Sequence, residues 1–139
     1  MAVPFKAPVK DITFGYEVID SYNILNKISE FSDFSEDIVI PTMEECAKFS
    51  EEVLAPINAI GDQQGATIDN GVVKMPQEFI DAYKKFAEAG WASISLPEEI
   101  GGGGQPITLS GGTLEILSTA NLAFGLSLIH ISEPTRLRR

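Results

Sequence analysis

Residues 76–106 read PQEFIDAYKKFAEAGWASISLPEEIGGGGQP, and the punctuation of this stretch decides the class of fold. Pro76 suits the first position of a helix, because its φ is already helical and its missing N–H would have no partner there. Phe79, Tyr83 and Phe86 follow at steps of four and three, which puts three rings on one helical face and predicts core packing. Glu78 and Asp81 lie early and Lys84 and Lys85 late, the order a helix dipole favours. Gly90 is the expected stop. Trp91 to Leu96 forms a short apolar run, and Pro97 to Pro106 has the glycine and proline content of a turning connector.

Working toward the N-terminus, Asp69-Asn70-Gly71 lies between Thr67-Ile68 and Val72-Val73. Asn-Gly accepts the positive φ angles of a tight turn, so a small β-hairpin is predicted. Before it, Thr42 and Glu45 fit a capping box just after Pro41. Cys46, Phe49, Val53, Ile57 and Ile60 then line one face of a helix that Pro56 should kink or deprive of its regular hydrogen bonding and Gly61 should stop. Asp11 is a candidate cap for a short helix with Ile12, Tyr16 and Ile19 on one side. Val3 to Pro8 should be extended, and the polar stretch from Ser21 to Asp37 fits no single element. Toward the C-terminus, Ile107 to about Gly125 reads as a helix carrying Leu114 and Leu117. Gly111 and Gly112 within it cost about 1 kcal/mol each relative to alanine, which predicts close approach of a neighbouring helix. The fold class is all-α with one small β-hairpin.

The chain of 139 residues suffices for one domain with its own core, and its 44% hydrophobic and 22% charged content is that of a globular protein. A net charge of −10 argues against nucleic acid as a partner, which would require a basic footprint. No apolar run is long enough to span a membrane. Met1 to Lys10 is neither a signal peptide nor a transit segment. Cys46 is the single cysteine, which excludes an internal disulfide and a Cys-rich metal site and points to a reducing cytoplasm.

Composition breaks near residue 126. Residues 1–125 hold seven lysines, nineteen acids and no arginine, a charge of −12, whereas all three arginines stand in the last four positions. The run Leu126-Ser127-Leu128-Ile129-His130-Ile131-Ser132-Glu133-Pro134-Thr135-Arg136 resembles the translation of a transposon-end adapter used in sequencing libraries. Residues 126–139 are therefore set apart as a non-native tail. Ser127, His130 and Glu133 within it mimic a nucleophile, base and orienter only by spacing, and triads are defined by geometry.

Elsewhere the chemical motifs are thin. Gly101-Gly102-Gly103-Gly104 lacks the Lys-Ser or Lys-Thr that ends a phosphate loop, having Gln105-Pro106 there, and no strand–helix unit surrounds it. Glu98 and Glu99 are neighbours in a loop, where carboxylates normally point apart and stay solvated. Cys46 belongs to an apolar stripe and reads as a buried, inert thiol. Without the tail no histidine remains, and no metal-ligand set is present.

Three stretches nevertheless resemble the acyl-CoA dehydrogenase family. Gly90-Trp91, the apolar run and Pro97-Glu98-Glu99-Ile100-Gly101-Gly102 look like that family's Pro-Glu-Glu-x-Gly-Gly loop. Glu115 to Phe124, with Ala120-Asn121-Leu122-Ala123-Phe124, resembles the helix after it. Phe5-Lys6-Ala7-Pro8-Val9-Lys10-Asp11-Ile12 is similar to the leader of a large-subunit branch that includes enzymes acting on methylthiopropanoyl-CoA. The resemblance divides the chain into a leader (1–35), an incomplete N-terminal helical domain (36–125) and the tail (126–139). It implies FAD as cofactor, α,β-desaturation of an acyl-CoA thioester within fatty acid metabolism, electron transfer flavoprotein as acceptor, and a homo-oligomer.

The family's flavin-contacting segment and catalytic glutamate would lie beyond Gly125, so no catalytic or cofactor-binding residue carries over. Leu122 and Phe124 are the candidates for the wall of the acyl pocket. Two other readings stand beside this one: a free-standing acidic helical protein-binding module, and an acyl-CoA or nitroalkane oxidase of the same superfamily.

Overall fold

Two prolines and a buried seam shape the longest helical run of the protein, whose computed structural model describes residues 4–126. Helix α3 spans Glu36–Phe49, a π-helical turn covers Ser50–Leu54, and α4 continues through Ala55–Gln64. The capping box expected at Thr42 does not form, because the helix has already begun with Ser35 at its N-cap. Thr42 instead donates its hydroxyl to the carbonyl of Ile38, one turn back. Pro41 lies inside α3. Both it and Asp37, whose carbonyl it cannot serve, are exposed, so water can take the freed acceptor.

Pro56 interrupts the regular hydrogen bonding of the helix, as expected. The turn before it widens to an i→i+5 bond, with the N–H of Ala55 reaching Ser50 O, and the helix then resumes. Gly61 does not stop the helix, which runs on to Gln64 and ends at Gly65. Gly61 is small for another reason: a Cβ there would meet Cζ of Phe79 at 2.6 Å.

The hairpin forms as read. Thr67–Asp69 (β1) pairs antiparallel with Val72–Lys74 (β2) in the register Thr67↔Lys74, Ile68↔Val73, Asp69↔Val72. Asn70 and Gly71 both take positive φ in its turn. Helix α5 follows at Gln77–Glu88 with Pro76 at its N-cap, and Gly90 just beyond its end adopts left-handed φ. Its inner face is Phe79, Ala82 and Phe86, while Tyr83 is 45% exposed, so the expected three-ring stripe is a two-ring one.

Helix α1 (Val9–Val18) starts after Pro8 rather than at Asp11, and α2 covers Ser21–Leu25. Ile12 and Tyr16 enter the core and Ile19 does not. Helix α6 spans Ile107–Ala120, shorter than expected, and buries Leu117 while Leu114 is exposed. It lies against α3: a Cβ on Gly112 would meet Met43 Cε at 2.4 Å and Tyr16 Oη at 2.9 Å, whereas Gly111 faces open space. Close approach thus explains one of the two glycines. Val39, Met43, Cys46, Leu54, Leu109 and Ile116 form the fully buried centre, ringed by aromatic pairs such as Tyr22–Phe34 and Phe86–Phe124. Among the described residues no helix is long and apolar enough to cross a membrane.

The leader is held by Glu51, whose carboxylate accepts from Lys6 Nζ and from the N–H of Ala7. The lysine bond first and the amide second hold its pKa below the ordinary 4.5. A depressed carboxylate stabilises the fold above its ordinary pKa, and that contribution is lost as pH falls through the folded value. Lys6 is 81% exposed, so the pair is screened. Glu51→Gln should cost about 0.5 kcal/mol at roughly pH 7 in urea unfolding, a cost that shrinks as pH falls below the ordinary carboxylate range. The two glycines of α6 offer a sharper contrast by the same measurement. Gly111→Ala should stabilise by up to about 1 kcal/mol through helix propensity, whereas Gly112→Ala should destabilise by about 1–3 kcal/mol through overpacking.

Candidate functional site

The segment nominated from sequence, around Leu122 and Phe124, is built on a break in the chain. Helix α6 ends at Ala120, Asn121 takes φ −155° and ψ 90°, and residues 122–126 are helical again. Asn121 Oδ1 accepts the N–H of Phe124 at 3.1 Å and so caps that second helix. Its Nδ2 donates to the carbonyl of Leu54 at 3.1 Å, across to the end of the π turn. The side chain is 0% exposed, and both of its polar ends are partnered, as a buried amide requires.

This break separates the two nominated residues. Leu122 points outward, 59% exposed, while Phe124 is 5% exposed and packs edge-on against Phe86, with ring centroids 5.6 Å apart. Phe79 approaches the same ring at 6.5 Å. Phe124 is a core residue of this domain, and Leu122 is a surface one. Asn121 was missed in the sequence, although an Asn with small residues before it and an apolar run after it carries the mark of an N-cap.

The glycine loop offers no anion cradle. The N–H groups of Gly102, Gly103, Gly104 and Gln105 are donated to the carbonyls of Pro97, Ser93, Leu96 and Ile94 at 2.9–3.0 Å. A Cβ at Gly102 would fall 2.1 Å from Leu96 O, so the loop is folded onto its own chain. Glu98 and Glu99 are exposed, with nothing that would give them acid–base work. The loop richest in amides by composition has spent them on its own backbone carbonyls.

Cys46 is 0% exposed and directs its thiol to the carbonyl of Thr113. Burial pushes its pKa up to about 12, with Ser50 nearby opposing the shift. That is the environment of an inert thiol, as read from sequence. The folded chain should react with a thiol reagent at least about a thousandfold more slowly than the urea-unfolded chain, since attack requires opening. No group of His, Cys, Asp and Glu able to hold a metal occurs among the described residues. Ser127, His130 and Glu133, with the rest of the tail after Leu126, lie outside them.

Residues 41–134 match the model of the acyl-CoA dehydrogenase N-terminal domain. Over 122 residues, 88% of the chain, the sequence is 35% identical to a 3-methylmercaptopropionyl-CoA dehydrogenase of Ruegeria pomeroyi. The aligned region is 21% of that relative's length. The matched residues hold the longest helical run from Pro41, the hairpin, α5, the glycine loop and α6, and the chain belongs to the acyl-CoA dehydrogenase family.

Proposed function

We propose that this stretch is the N-terminal part of an FAD-dependent acyl-CoA dehydrogenase, which introduces an α,β double bond into an acyl-CoA thioester. The reading rests on the family's N-terminal domain coinciding with a relative that carries the dehydrogenase name along 88% of this chain. Flavin and catalytic base belong to the parent beyond these residues, with electron transfer flavoprotein as acceptor. The parent is a homo-oligomer of the cytoplasm. The 139-residue chain alone is inactive, and its part in the enzyme is structural: Leu122 contributes to the wall of the acyl pocket and Phe124 supports it from behind.

The family match over residues 41–134 favours this over a free-standing binding module.

Sequencing the source locus beyond the Gly125 codon and expressing the whole frame tests the proposal. The product is expected to carry bound flavin whose absorbance bleaches on anaerobic addition of an acyl-CoA, while the 139-residue chain retains none. Flavin retained by the short chain would overturn its inactivity. A full-length product that no acyl-CoA bleaches would overturn the enzyme, and a frame ending at Arg139 with a cooperative monomer would favour the binding module.

A further inference from the structure

We propose that Asn70 is a site of spontaneous covalent modification, where the hairpin turn loses ammonia through a cyclic imide and becomes isoaspartyl or aspartyl. Gly71, the next residue, has no side chain to shield its nitrogen, and a Cβ built there would meet nothing within 4 Å. Asn70 and Gly71 are both exposed, as is every residue of β1 and β2. The turn closes a sheet of only these two strands, and such a ribbon is marginal in water, so it opens at little cost. A paired turn restricts the approach of the Gly71 nitrogen to Cγ of Asn70, so the reacting form is the opened ribbon.

The chemistry needs only water and hydroxide. Hydroxide takes the proton of the Gly71 N–H, and the nitrogen attacks Cγ of Asn70. The new N–Cγ bond forms as the Cγ–Nδ2 bond breaks, and the departing nitrogen leaves as ammonia with a proton from water. Water then opens the imide at either carbonyl. Opening at the main-chain carbonyl frees an α-carboxylate and carries the chain through the side chain, longer by a methylene.

The other asparagines, Asn23, Asn26, Asn58 and Asn121, precede Ile24, Lys27, Ala59 and Leu122, whose side chains crowd the attacking nitrogen. The fold adds a second barrier at each. Asn23 and Asn58 lie within α2 and α4, where helical hydrogen bonds fix the backbone, and Asn26 closes α2 with helical dihedrals. Asn121 is buried with both ends of its amide bonded. Modification at Asn70 also has a structural consequence. The added methylene offsets the Asp69↔Val72 pair, and the new carboxylate stands beside Asp69, which already holds Lys74. The isoaspartyl chain therefore keeps its helices and loses its ribbon.

The folded 139-residue chain, held at mildly alkaline pH and followed by peptide mass spectrometry, should convert at Asn70 before any other asparagine. The rate should rise in proportion to hydroxide. It should lie within about tenfold of the rate in the urea-unfolded chain, because turn opening sits at the low end of local unfolding free energies. Asn70→Gly, which keeps positive φ available to the turn, should lose this conversion and leave the other asparagines unchanged. In the isoaspartyl fraction, cross-strand nuclear Overhauser contacts between β1 and β2 should vanish while those between α3 and α6 persist. Earlier conversion at another asparagine, or a folded-state rate at Asn70 at least about a thousandfold below the unfolded one, would overturn the assignment.

Discussion

The N–H that Pro56 lacks is the constraint from which the rest of the architecture follows. In an uninterrupted α-helix the residue at that position would donate to Glu52 O, and the proline ring would press on the same carbonyl. Widening one turn, with Ala55 donating to Ser50, lets the helix continue across the proline instead of breaking. The cost is a change of phase. Below the widened turn the seam is Val39, Met43 and Cys46; through it the buried residues step by fours, to Ser50 and Leu54, before Ile57. Leu54 reaches full burial by this rotation, and its carbonyl is brought to face α6.

That carbonyl meets Asn121. A buried amide left unpaired would cost about 1–3 kcal/mol. The pairing of the π turn with the residue that ends α6 therefore ties those two elements in one register. A separate contact, of α6 with α3 and α1, demands a small residue at Gly112, where Met43 and Tyr16 crowd a Cβ. Packing and polar satisfaction both constrain how α6 lies on α3 and the π turn.

Element types were legible in the sequence, and boundaries and phases were less so. Asn70-Gly71 and Gly90 carry their conformations in their chemistry and stood where they were read. The misplacements share a cause: each required knowing what lay across the interface. Tyr83 and Ala82 are adjacent, and both satisfy helical spacing. The small one faces inward, consistent with the two rings of Phe79 and Phe86 already filling that face. Thr42 has the form of a cap, but Ser35 begins the helix earlier, and a proline at a solvent-facing position is tolerated inside it. Asn121 could be suspected as a cap, whereas its bond to Leu54 depends on a partner 67 residues away that only the π turn delivers. Of the candidate site, Leu122 and Phe124 were nominated together, and the break that divides them rests on this long-range contact.

Few polar residues are buried among the described ones, and most polar groups that enter the interior are paired within the fold. Here the loop amides are spent on carbonyls, the Cys46 thiol on Thr113, Tyr16 Oη on Thr108, and Asn121 at both ends. Among the described residues, the buried Tyr22 Oη and Trp91 Nε1 have no hydrogen-bond partner, and they come from different parts of the chain. What the fold turns outward is partly apolar. One face of the hairpin carries Ile68 opposite Val73, both largely exposed, while the other face carries the Lys74–Asp69 ion pair. An isolated two-stranded ribbon is marginal in water. Its two faces are unlike, with Ile68 and Val73 on one and Thr67, Asp69, Val72 and Lys74 on the other, so the polar face gains an ion pair that the apolar face lacks.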